Sequence, residues 1–142
     1  MAIFSTSSNS STPALNAYTF FQHWLGYAFE PAETSYAPAL IRYHDLFVSG
    51  SGRFATEDIT ELSGAGLTVQ SGPFAITGGT VTGFSDYNAS GFFVPTNFTR
   101  VDATGFSIAG TDFWNLASTS QWHALWLLAT AGDDTMTGSE VA

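Results

Sequence analysis

Three histidines, twelve carboxylates and a large number of serines are the side chains with which this 142-residue chain could do chemistry. His23, His44 and His123 lie in separate segments, and no two have the short spacing that puts two imidazoles on one metal ion. His23 and His123 stand beside Trp24 and Trp122, where an imidazole at the edge of an aromatic layer needs no ligand. Serine hydrolysis lacks its sharp strand-to-helix turn, because Gly105 to Gly110 has one residue too many for Gly-x-Ser-x-Gly. Glu57 and Asp58, with Glu61 nearby, have the residue types of a glycosidase pair, yet three neighbouring carboxylates read more simply as a solvated loop. No glycine-rich loop is followed by lysine, since the chain has no lysine. The expectation is a protein that is not an enzyme.

Binding chemistry has better candidates. Tyr87, Phe92 and Phe93 flank the turn-like Asn88 to Gly91, and aromatic faces there would stack on the C–H faces of a pyranose. Packing into a core accounts for the same residues.

Composition narrows the partners. The formal charge is −9, and Arg42, Arg53 and Arg100 are the only permanently basic side chains. Nucleic acid needs clustered Lys or Arg to neutralise phosphates and is not expected as a partner, and an anionic membrane surface is disfavoured for the same reason. Cysteine is absent, which removes disulfides and thiolate metal sites. Met1 to Thr12 is Ser- and Thr-rich, with neither the basic nor the apolar part of a signal peptide. Tyr18 to Phe29 and Ala124 to Ala129 are too short to span a bilayer.

The elements that would position these groups follow from periodicity. Residues 1–12 read as a flexible segment, and Thr12-Pro13 as the cap and first turn of a helix carrying Leu15, Tyr18, Phe21, Trp24 or Leu25, and Ala28 on one face. Pro31 to Pro38 reads as a loop, and Ala39 to Val48 suits a strand or a helix. From Arg53 the texture becomes short strand-like runs between glycines: 53–55, 67–70, 74–76, 80–87, 91–94 and 101–108, with Gly78-Gly79 and Asn88 to Gly91 as turns. Thr111 reads as the cap of a short turn, and Ser118 or Ser120 as the cap of a closing helix with Trp122, Leu125, Trp126 and Leu128 on its apolar stripe. The expected fold is mainly β (α+β): an antiparallel curved sheet or sandwich, with an N-terminal and a C-terminal helix packed on it. A single domain over 13–130 is then followed by a distinct tail, 131–142.

That tail contains Gly132-Asp133-Asp134-Thr135-Met136-Thr137-Gly138-Ser139. Glycines permit tight turns, an aspartate offers oxygens to Ca²⁺, and an apolar residue two positions on fills a thin core. The stretch resembles the opening repeat of the hemolysin-type calcium-binding (RTX) family. The segment from Ile76 to Tyr87, the Gly105 to Ile108 run and the closing helix are similar to a module found ahead of such repeats. The likeness covers roughly residues 53–142. It implies export by a type I secretion system, an extracellular location, and calcium held by Asp134 and Asp133 where a following repeat completes the site. One repeat cannot close such a site, since each ion sits between turns of successive repeats. The function implied is a non-enzymatic structural or interaction module that forms a homo-oligomer or other extracellular assembly, such as a filament, surface layer or adhesin. An alternative is a module binding carbohydrate or heme. Secreted hemophores are similarly small, acidic and Cys-free, and their His and Tyr iron ligands would correspond to His44 with Tyr43 or Tyr87. A third is an accessory domain of an enzyme.

Overall fold

Alternation with a period of two governs much of the chain: Ile41, Tyr43, Thr60 and Leu62 are buried, whereas Leu40, His44 and Ser63 are turned outward. In the computed structural model the described residues are 1–8, 34–48, 54–92, 97–131 and 135–137. They form strands β1 (Ile3–Ser8), β2 (Thr34–Ala37), β3 (Leu40–Val48), β4 (Phe54–Ser71), β5 (Phe74–Phe92) and β6 (Asn97–Ala109), helices α1 (Gly110–Ser118) and α2 (Trp122–Ala129), and strand β7 (Thr135–Thr137).

All seven strands make one open sheet in the order β2-β3-β4-β5-β6-β1-β7. β2 to β6 run as an antiparallel meander, β1 adds antiparallel to β6, and β7 adds parallel to β1. The mainly β expectation holds, with a single sheet rather than a sandwich among the described residues. The helix expected after Thr12 lies outside them.

The core sits between one sheet face and the two helices. Phe4, Ile41, Leu62, Val81 and Phe84 come from the strands, and Phe113 and Leu125 from α1 and α2, all essentially without solvent contact. On α2 the inward stripe is Trp122, Leu125, Trp126 and Ala129, an i, i+3, i+4, i+7 set, while Leu128 is turned to solvent. The stripe expected from sequence was therefore correct except at Leu128, which lies beyond the edge of the stripe on the side of Leu125 and away from Trp122 and Trp126. α1 is a helix rather than a turn, and it starts at Gly110 directly after β6 with no side-chain cap, so Thr111 is inside it. α2 follows Gln121, again without the expected serine cap.

Two expectations fail for one physical reason. The short glycine-separated runs are not separate strands, because β4 and β5 extend over 18 and 19 residues. Glycine interrupts the ladder by bulging it, with register shifts at Ser63/Gly64, Ala65/Thr68, Thr68/Val69 and Val81/Gly83. Gly79, at φ +84°, packs its α-carbon against the backbone of Gly66, and a side chain there would collide with it. Asn88 to Gly91 is not a turn either, since it lies within β5. The β4–β5 hairpin turns at Gly72 and Pro73, and near its tip Phe74 meets Trp114 of α1 edge-on at 5.1 Å.

The N-terminal residues differ most from expectation. Ile3–Ser8, read as part of a flexible segment, is a strand between β6 and β7 with Phe4 fully buried. Thr34–Ala37, read as loop, is the edge strand β2.

Candidate functional site

The sheet divides its chemistry between its two faces. On the outer face, opposite the helices, cross-strand register aligns His44, Ile59, Tyr87 and Arg100 in one row from β3 to β6. The adjacent row is Arg42, Glu61, Ser85 and Asp102. His44 Nε2 lies 2.9 Å from Glu57 Oε1, Arg42 Nε lies 3.4 Å from Glu61 Oε1, and Arg100 donates three hydrogen bonds to Asp102, at 2.8 Å, 3.0 Å and 3.1 Å. Asp102 holds the Arg100 guanidinium above its ordinary range, chiefly by accepting those hydrogen bonds. The Arg42 and Arg100 guanidinium groups, each paired with a carboxylate, and the His44–Glu57 contact frame a half-buried tyrosine ring.

The inner face changes character along the strands. Its apolar part contains Ile41, Leu62, Phe84 and Phe4 under the helices, and two residues along each strand polar groups begin. Thr60, only 4% exposed, donates its hydroxyl to Asp86 Oδ1 at 2.9 Å. One step further Asp45 and Asp58 are direct cross-strand partners, and Asn88 faces Asp58 from the other side. Asp58 Oδ1 is buried and accepts no hydrogen bond among the described residues. Burial first, then the Asp86 carboxylate, then Asp45, push Asp58 up to about 6.

The acidic group Glu57, Asp58 and Glu61 is therefore not a solvated loop. It lies on β4, where alternation sends Glu57 and Glu61 outward to His44 and Arg42, and Asp58 inward to Asp45 and Asp86. Asp45, Asp86 and Thr60 were not singled out from sequence. A usable signal existed: Asp45 stands two residues after buried Tyr43, and Asp86 two after buried Phe84, which gives each the parity of the core.

Of the aromatic platform expected around Asn88 to Gly91, only Tyr87 takes a place on the outer face. Phe92 ends β5 at the register position opposite Phe54, and Phe93 lies outside the described residues. His44 and Tyr87 share a face with Ile59 between them, about 10 Å apart by strand spacing. The opposed-loop geometry expected for heme is thus not formed: both are strand residues on one surface, and Tyr43 is buried on the other side of β3. His123 is exposed at the start of α2, in a shallow open depression lined with Ser120, Gln121, Trp122 and Ala124. His23, Asp133 and Asp134 lie outside the described residues. The neighbouring Met136 occupies the β7 position beside Phe4.

Among the described residues no three His, Asp or Glu side chains are grouped to hold a metal ion, and no helix is long and apolar enough to cross a membrane. No family model, curated protein or solved structure matches the chain, so its fold and candidate surfaces are read from its own residues alone.

Proposed function

We propose that this chain is a non-enzymatic extracellular interaction module that associates with a second copy of itself by antiparallel strand addition at the β2 edge. One observation carries the reading. β2 ends the sheet, and Thr-Ser-Tyr-Ala presents no charge, proline or bulge, with Tyr36 57% exposed. Sheet edges left in this state are templates for another strand, and proteins that remain apart blunt them with lysine, proline or bulges. Among the described strands β2 has a neighbour on one side only, β3. The RTX-like Gly132 to Ser139 stretch supports the extracellular setting and type I export. Calcium held by Asp133 and Asp134 belongs to this reading only where a further repeat follows.

The test is mass measured against concentration, with and without Ca²⁺. A reversible doubling of mass that Tyr36→Glu abolishes is the expected result. A chain that stays monomeric at every concentration would remove the reading, and open-ended growth would replace the two-fold pairing with a filament.

A second reading, a carbohydrate-binding surface, is favoured by the row His44, Ile59, Tyr87 and Arg100. The half-buried Tyr87 ring offers a stacking face, while the paired Arg100 guanidinium and Asp102 carboxylate beside it offer hydroxyl partners. A glycan array probed with the parent chain and with Tyr87→Ala decides this; no hit, or hits unchanged by the substitution, would dismiss it.

A further inference from the structure

The inner face places three carboxylates on three successive strands, Asp45 on β3, Asp58 on β4 and Asp86 on β5, with Asp58 in the middle. Asp45 is its direct partner across β3–β4, where like charges oppose pairing. On the β5 side Asn88 is its direct partner, and Asp86 lies diagonally, two residues along. Along β4 itself the neighbours on the same face are Thr56 and Thr60, both uncharged, and Thr60 spends its hydroxyl on Asp86. No arginine or histidine of the described sheet shares this face: Arg42, His44 and Arg100 belong to the outer one. Asp58 thus meets two carboxylates and no cation among the described residues, and one of its oxygens is shut off from water without a donor.

We infer that Asp58 is the proton-binding centre of a pH-sensitive latch, in which its neutral acid group joins β3, β4 and β5 and its ionised form sets three carboxylates against one another. As the neutral acid, Asp58 carries an O–H that its carboxylate neighbours can accept, turning repulsion into a cross-strand hydrogen bond. The elevated pKa, about 6 against an ordinary 3.8, has the sign that this arrangement requires.

The direction of the pH effect follows. Between 3.8 and about 6 the folded chain holds a proton that the unfolded chain has released. Stability contributed by the latch is therefore fully present below that window and is lost as pH rises through the folded value. The chain binds its proton where most carboxylates have already lost theirs.

Two measurements on the full chain test the latch. In a carboxyl-carbon NMR titration, the Asp58 resonance should have its midpoint near 6; a midpoint in the ordinary range near 4 overturns the inference. Melting temperature is followed from pH 5 to 7.5 for the parent chain, for Asp58→Asn and for Asp112→Asn, the last removing one exposed charge from α1. General self-repulsion in a chain of charge −9 affects all three alike. The parent chain and Asp112→Asn should lose stability as pH rises, and Asp58→Asn should lose markedly less. Equal slopes in Asp58→Asn and Asp112→Asn would overturn it. Should Asp58→Asn not fold, the NMR midpoint of the parent chain decides alone.

Discussion

The Trp126 ring centroid lies 4.8 Å from that of Phe4, with the planes inclined at 40°, so the closing helix is fastened to the first strand of the chain. Phe4 is wholly buried between its strand neighbours Ala103 and Met136 in register, and Trp126 covers it from above. Removing the ring opens a cavity that a strand paired on both sides cannot collapse to fill. Phe4→Ala is expected to cost about 3–5 kcal/mol in denaturant unfolding. Ile3→Ala, next in sequence but 43% exposed on the outer face, should cost well under half as much. Equal losses would mean that the first strand does not contribute to the core in this way.

Gly66 and Gly79 face one another in the long hairpin and separate two effects that glycine usually combines. Both have positive φ, +60° and +84°, but a methyl group at Gly66 enters open space, whereas one at Gly79 strikes the Gly66 carbonyl. Gly66→Ala should show the left-handed backbone penalty alone, about 1–2 kcal/mol. Gly79→Ala should add a steric cost and exceed it clearly. The comparison is made by equilibrium unfolding, and a Gly79→Ala loss no larger than that of Gly66→Ala would count against the close approach of the two backbones.

The closing helix was legible in the sequence because Trp122, Leu125 and Trp126 repeat at helical spacing, and the β character because β-branched and aromatic residues recur in short runs between glycines over residues 54–108. Strand length was not legible. Glycine has the same letter whether it ends a strand or bulges one, and only the partner strand decides, as at Gly64 and Gly83. The first strand was hidden by composition: Ser5, Thr6, Ser7 and Ser8 look like linker, and a single Phe4 decides their place. For the site, Glu57, Asp58 and Glu61 were visible as a group but not as opposites. Their division between two faces becomes readable only once β4 is known to be a strand, since a period of two then fixes Asp58 on the side of Thr60 and Leu62.

The outer-face ion pairs should prove structurally minor. Arg100 and Asp102 are half-exposed and two residues apart on one strand, so their hydrogen bonds largely replace bonds to water. Arg100→Ala is expected to change unfolding free energy by under about 1 kcal/mol. If the face binds carbohydrate, Arg100→Ala and Tyr87→Ala should weaken binding severalfold while leaving the melting curve close to that of the parent. Loss of binding that tracks loss of folding would instead make these residues structural.

Association through β2 should depend on salt in a direction opposite to that of a charge-driven contact. Each copy carries a net charge of −9, yet Thr34–Ala37 itself contributes no charge to the contact. Bringing two such molecules together is opposed by long-range repulsion, which falls away once the Debye length shrinks from about 30 Å at 0.01 M to about 8 Å at 0.15 M ionic strength. Dimerisation followed by sedimentation should therefore strengthen over that range. Tyr36→Glu sets like charges near each other across the two-fold axis, so its association should remain weak even at high salt, because the tyrosine contact is lost as well. Should added salt dissolve the dimer, its contact would be an ion-pair surface such as the Arg42, Glu61 and Asp102 row, and the strand-edge reading would have to be given up.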